Sequence, residues 1–128
     1  MTDTATKTAP AAATRPVVRI LPGRHKRVRA GHPWIYSNEI DMTPEAKTLP
    51  PGTVVTVTDV SGRVGTAVFN PKPLISARLL TRDGRAAIDR DWMIRRLKRA
   101  LDLRNLLFDR PFYRLVHAEA DGLPGLVI

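Results

Sequence analysis

The sequence predicts a mainly β protein with helices (α+β): a small barrel or sandwich, a connecting amphipathic helix, and the start of a β-hairpin. Three observations carry this. Runs rich in Val, Ile and Thr recur at roughly ten-residue spacing, separated by the turn pairs Pro22-Gly23, Ser61-Gly62, Asn70-Pro71 and Asp83-Gly84. After Asp89 the apolar period changes from that of a strand to that of a helix. Beyond Pro111, two apolar runs flank Asp121-Gly122 and Pro124-Gly125, a tight-turn signature.

In chain order, residues 1–16 are rich in Thr and Ala with almost no large apolar side chain. They cannot offset their chain entropy by burial and read as a disordered tail. Val17 to Leu21 reads as the first strand, stopped by Pro22-Gly23. Arg24 to Ala30 suits a short helix, with Gly31 placed to end it, Pro33 forbidding its continuation and Val28 pointing inward. Trp34 to Tyr36 follows as a short strand, and Asp41 to Pro51, with three prolines, as a loop. Thr53 to Asp59 and Arg63 to Phe69 form a hairpin, and Leu74 to Thr81 is a further strand. These strands make a first unit over residues 17–84.

Residues 85–111 form the connector. Asp89 is placed as N-cap, with Ile88 and Met93 at the two positions of a hydrophobic staple. Met93, Leu97, Ala100, Leu101 and Leu107 recur at helical spacing and should face inward. Arg95, Arg96, Arg99 and Asp102 take the other side, as a solvated face or a supplementary RNA contact. Residues 112–128 begin another unit. They end on Val127-Ile128, where a strand would just be starting, so the chain reads as cut there.

The formal charge of +9 favours a polyanionic partner, with nucleic acid ahead of an anionic membrane surface. No apolar run approaches the roughly 20 residues of a spanning helix, and no secretory signal is present. Zero cysteines exclude disulfides and thiolate chemistry and fit the cytoplasm. His25, His32 and His117 lack metal-ligand spacing, so no metal site is expected. Glu119 and Asp121 have no His or nucleophile at useful spacing; Asp121 reads as a turn residue and Glu119 as an interdomain or solvated contact.

The densest charge lies between Leu21 and Trp34. Arg24, His25, Lys26, Arg27 and Arg29 fall together, and no acid occurs between Asp3 and Glu39. Several cations on one surface, releasing counterions when they meet phosphates, are what RNA binding requires. Arg24, Lys26, Arg27 and Arg29 are therefore the first candidates for RNA contact. His25 shares the stretch, and His32, held extended before Pro33, is suited equally to a phosphate or to capping the helix. Trp34 reads as a core anchor rather than a platform for a base. Lys72 and Arg78 are secondary candidates, at a hairpin end and on the polar side of a strand.

The spacing Gly52-x-x-Val55-x-Val57-x-Asp59-x-x-Gly62-x-x-Gly65-x-Ala67 resembles the PUA domain, an RNA-binding pseudo-barrel, with Ala67 where a third Gly is common. Three further matches accompany it: Leu21, Gly23-Arg24 and Lys26 before His32-Pro33-Trp34; Asn70-Pro71 before Arg78; and Tyr113 to Val116 before Glu119-x-Asp121-Gly122-Leu123-Pro124-Gly125-Leu126. In this order they resemble the N-terminal part of the PUA-containing class I SAM-dependent methyltransferases that modify cytosine C5 in 23S ribosomal RNA. The resemblance implies ribosomal RNA as partner and a chain truncated before the catalytic domain. S-adenosylmethionine is then a cofactor of the full-length relative and not of this chain, and no catalytic residue carries over. A homodimer of the full-length protein stays open. The competing reading is a free-standing PUA module acting in ribosome assembly or translation; a basic adaptor for other proteins ranks third.

Overall fold

The β-branched runs assemble into one five-stranded sheet of order β1-β3-β4-β5-β2. The computed structural model describes residues 15–128. Its strands are β1 (Val17–Arg19), β2 (Trp34–Tyr36), β3 (Thr53–Asp59), β4 (Gly62–Phe69) and β5 (Ile75–Thr81). β3, β4 and β5 form an antiparallel meander, β2 adds antiparallel to β5, and β1 lies parallel to β3. The two edges then meet. Ile20, just past β1, bridges Ile40, just past β2, and the Leu21 and Asp41 amides donate to Glu39 and Arg19 carbonyls at 2.8 Å each. This closure gives the pseudo-barrel expected from the strand spacing and covers both edges.

Inside the barrel, Val18, Ile20, Val28, Ile35, Val55, Val57, Phe69 and Ala77 form the first core. The strand alternation is visible at β5, where Leu79 joins this core and Leu80, on the opposite face, joins a second. That second core collects Trp92, Ala100, Val116 and Leu123. Gly65 marks the tightest approach of β4 to its neighbour: a Cβ there would lie 2.3 Å from the Thr81 carbonyl oxygen.

Five local expectations are corrected. The disordered tail assigned to residues 1–16 lies outside the described residues except for Arg15 and Pro16, and these two are ordered parts of the barrel. Arg15 is buried, donating to Thr66 Oγ1 (3.0 Å) and to the Gly84 (2.9 Å) and Ala86 carbonyls, while the Pro16 carbonyl accepts from the Thr56 amide. The loop from Asp41 to Pro51 contains a one-turn helix, α2 (Pro44–Thr48). Thr43 caps it by accepting from the Ala46 amide, and Pro44 fills the first turn, where a missing N–H costs nothing.

The long helix, α3 (Arg90–Leu107), starts at its expected cap, where the Asp89 side chain accepts from the Trp92 amide at 2.8 Å. Its inward face is rotated from the expected one. Trp92, Ala100 and Arg104 are buried, whereas Met93, Leu101 and Leu107 are exposed. The reason is polar: Arg104 pairs with Asp121 in the interior at 2.7 Å, and Arg96 donates to the Leu80 carbonyl. The staple is half made, since Ile88 packs on the second core while Met93 faces out.

The closing hairpin is a short pairing. His117 bridges Val127, and the Ala118 amide donates to the Leu126 carbonyl. Between them lies a 3-10 turn, Ala118–Asp121, ended by Gly122 at φ +70°. Phe112, expected in a strand, stands exposed.

Candidate nucleic-acid interface

The basic stretch folds around a single helical turn, α1 (Lys26–Arg29). Four residues cannot hold a helix by propagation, so its position comes from tertiary contacts. Val28 is fully buried in the first core, and its carbonyl accepts from Arg82 Nη2 at 3.0 Å. Gly31, at φ +123°, reverses the chain after one turn.

Two of the arginines are also fasteners. Arg29 donates through Nε and Nη2 to both oxygens of Asp59, at 2.8 and 2.9 Å, a bidentate pair with the carboxylate at the end of β3. The Asp59 oxygen also accepts from the Ser61 amide at 2.7 Å. The Arg29 hydrogen bonds hold the Asp59 carboxyl down to about 2, although burial works to raise it. Arg27 pairs with Glu39, lies 4.5 Å from the Tyr36 ring centroid, and approaches His32 Nδ1 at 3.3 Å. Glu39 in turn accepts from the Tyr36 amide at 3.0 Å.

Arg24 and Lys26 are exposed and form no ion pair among the described residues. The arrangement is therefore a rigid base of paired arginines presenting two unpaired cations to solvent. His25 is half-buried, with no hydrogen-bond partner for Nδ1 among the described residues. His32 Nδ1 accepts from the Trp34 amide at 3.2 Å, which fixes the turn after α1. Of the two roles open to His32, this contact is the local structural one.

The remaining candidates lie elsewhere. Lys72 is exposed in the turn before β5, its amide donating to Asn70 Oδ1. Arg82, beside α1, follows the other end of that strand, so at about 3.3 Å per residue the two stand roughly 20 Å apart. Arg78, midway along β5, pairs with Glu119 at 2.9 Å and lies 5.8 Å from the Trp34 ring centroid.

Trp34 is outside both apolar cores. It is half-buried, and its Nε1 donates to the same Glu119 oxygen at 3.1 Å. The core anchor in this strand is Ile35. Sequence reasoning also missed Tyr36 and Arg82 as parts of this surface. The signal for Tyr36 was its two-residue spacing from Trp34; for Arg82 no local signal exists, because its partner Val28 lies 54 residues away in sequence.

Burial alone would raise the Glu119 pKa. Its own amide, the Trp34 and Arg78 hydrogen bonds and the Arg78 charge outweigh burial and lower it. Neither Glu119 nor Asp121 meets a nucleophile or metal partner, and no cluster of acidic or histidine side chains suited to a metal occurs among the described residues. No helix among them is long and apolar enough to cross a membrane.

Comparison with known proteins identifies the family of the barrel. A family described as a PUA-like domain matches residues 18–82. Among curated proteins, the ribosomal RNA large subunit methyltransferase I of Aliivibrio fischeri is 39% identical over 115 residues, covering 87% of this chain and 28% of that protein. The proteins of the same name from Shewanella frigidimarina and Vibrio cholerae are each 36% identical, covering 87% and 88% of this chain and 29% of their own length. The chain thus spans less than a third of these relatives. Two solved structures share the fold at 15% identity, each matched over 88% of this chain and 29% of its own. One, from Streptococcus mutans, is assigned as a SAM-dependent methyltransferase (TM-score 0.69); the other, SMU.776, is assigned as a methyltransferase complexed with SAH (TM-score 0.67).

Proposed function

Since the chain belongs to the PUA-like domain family, we propose that it is the RNA-docking N-terminal region of a SAM-dependent ribosomal RNA methyltransferase acting on cytosine C5 of 23S RNA. The observation that carries RNA docking is the pair Arg24 and Lys26: unpaired, exposed, and mounted on a turn that buried Val28 and two ion pairs hold in place. A net charge of +9 supplies the long-range attraction. The names of the relatives support ribosomal RNA as the ligand. On this reading Arg24 and Lys26 make the main phosphate contacts. Arg27, Arg29, Arg78, His25 and His32 shape the surface, and Lys72 extends it. Methyl transfer, with S-adenosylmethionine as donor, belongs to the full-length protein in the cytoplasm, as does any homodimer, and no residue of this chain is given a catalytic role.

The test is RNA binding over a salt series. Replacing both Arg24 and Lys26 by Gln should lower the slope of log affinity against log salt by about 2, one per lost phosphate contact. An unchanged slope for a 23S RNA fragment sinks the assignment.

A further inference from the structure

Two arginines outside α1, Arg82 and Arg96, line one cleft, and a third, Arg99, reaches its Gly122 wall. The cleft lies between β5, the loop after α1 and the turn after α3, has a volume of about 330 Å³, and is lined among others by Gly31, Arg82, Arg96, Glu119 and Gly122. Arg96 and Arg99 are three residues apart on α3 and so share a helix face. Both reach Gly122: a Cβ built there would lie 2.5 Å from Arg96 Nη1 and 3.3 Å from Arg99 Nη2. Opposite, Arg82 Nη2 lies 3.9 Å from where a Gly31 Cβ would stand. The two glycines, each at positive φ, leave these walls without side chains: the Arg96 guanidinium packs where a Gly122 Cβ would stand, and Arg82 lies at van der Waals distance from Gly31.

The cations are held in place but not neutralised. Arg82 and Arg96 each spend one Nη on a backbone carbonyl, that of Val28 (3.0 Å) and that of Leu80 (2.8 Å). The Arg96 guanidinium also stacks 4.9 Å from the Trp92 ring centroid. Among the described residues, no carboxylate pairs with Arg82, Arg96 or Arg99. Glu119, the acid in the cleft wall, is engaged by Arg78 and Trp34. Burial, with the like charges of Arg99 and Arg95, pushes the Arg96 pKa down.

We propose that this cleft is a phosphate subsite for the RNA backbone, in which Arg82, Arg96 and Arg99 grip a phosphodiester. The inference rests on the RNA-docking reading and extends it. A fork of guanidinium donors suits a phosphate, and the Arg82–Val28 bond places the cleft directly behind α1. An RNA strand crossing Arg24 and Lys26 would continue into it.

The experiment compares single variants of the chain binding a labelled 23S RNA fragment over a potassium chloride series. R99Q and R96Q should each lower the salt slope by about 1. R95Q makes the same charge change on the same helix, but the side chains nearest Gly122 are those of Arg96 and Arg99 and not of Arg95, and R95Q should leave the slope unchanged. Equal slopes for R99Q and R95Q would mean a diffuse field and overturn the subsite. Arg99 is exposed, so R99Q does not threaten folding; R96Q is read beside R96K, which keeps the charge. If the parent chain shows no salt-dependent RNA binding, the docking reading itself fails. If the Arg24 and Lys26 variants weaken binding while R96Q and R99Q do not, the subsite alone fails. Polyglutamate binding that R99Q weakens, with RNA binding unaffected, would assign the cleft to an acidic protein segment and also overturn it.

Discussion

At the scale of single residues, the arginines of the α1 region divide by partner. Arg29 meets Asp59, whose side chain is only 1% exposed, while Arg24 meets solvent. Removing Arg29 leaves a buried carboxylate without its bidentate partner. Arg29→Gln should therefore lower stability at neutral pH, by an amount that solvent screening of the exposed guanidinium keeps modest. Arg24→Gln should stay within about 0.5 kcal/mol. The pH dependence has a definite sign. Asp59 is held down to about 2 in the folded state, against 3.8 unperturbed. Its contribution is thus complete above about pH 4 and is lost as the pH falls from there toward 2. Urea midpoints at neutral and acid pH should show the Arg29→Gln deficit shrinking in acid; a deficit that persists at low pH would disprove the pairing as its source. None of this pairing was legible locally. The sequence shows no acid near Arg29, and Asp59 arrives from 30 residues away only when β3 forms.

At the scale of elements, the strands were readable and the helix faces less so. β3, β4 and β5 follow from β-branched alternation and turn pairs, signals contained within ten residues. The turn α2 carried its own marks in Thr43 and Pro44, but surrounding prolines outweighed them. For α3 the apolar period pointed to Leu101 and Leu107, whereas the helix buries Arg104. Hydrophobic periodicity has no means of assigning an arginine inward when its partner, Asp121, lies in a later turn. Arg104 also donates to the Arg114 carbonyl at 3.1 Å, and Asp121 accepts from the His117 amide at 2.7 Å, so one pair fastens the whole closing segment to α3. Arg104→Met keeps the volume but strands Asp121, and should cost about 3–5 kcal/mol. Thermal unfolding of the variant checks this. A loss below about 1 kcal/mol would mean that Asp121 is hydrated and the pair is not what holds the segment.

At the scale of the whole molecule, total charge was legible from composition but its distribution was not. Among the described residues, the ion-paired arginines pin elements together, and Arg24 and Lys26 at α1 and Arg82 and Arg96 in the cleft behind it stand without ion pairs. The barrel and the second core meet along β5 and through one polar clasp, in which Glu119 Oε1 accepts from Trp34 Nε1 on β2 and Arg78 Nη1 on β5. If the clasp couples the two units, Glu119→Ala should loosen the second more than the first. The expected loss is about 1–2 kcal/mol, roughly tenfold in hydrogen-exchange protection. It should fall on the amides of Val116 and Ala118, which donate to the Ile128 and Leu126 carbonyls. Amides within the β3–β4 ladder should keep theirs. Acid should mimic the substitution. Glu119 is lowered in the folded state from an unperturbed 4.5, so the clasp contributes fully above that value and is lost as the pH falls from there through the lowered folded one. Equal loss of protection in β3 and at Val116 would show one cooperative unit, with Glu119 serving the barrel as much as the segment it closes.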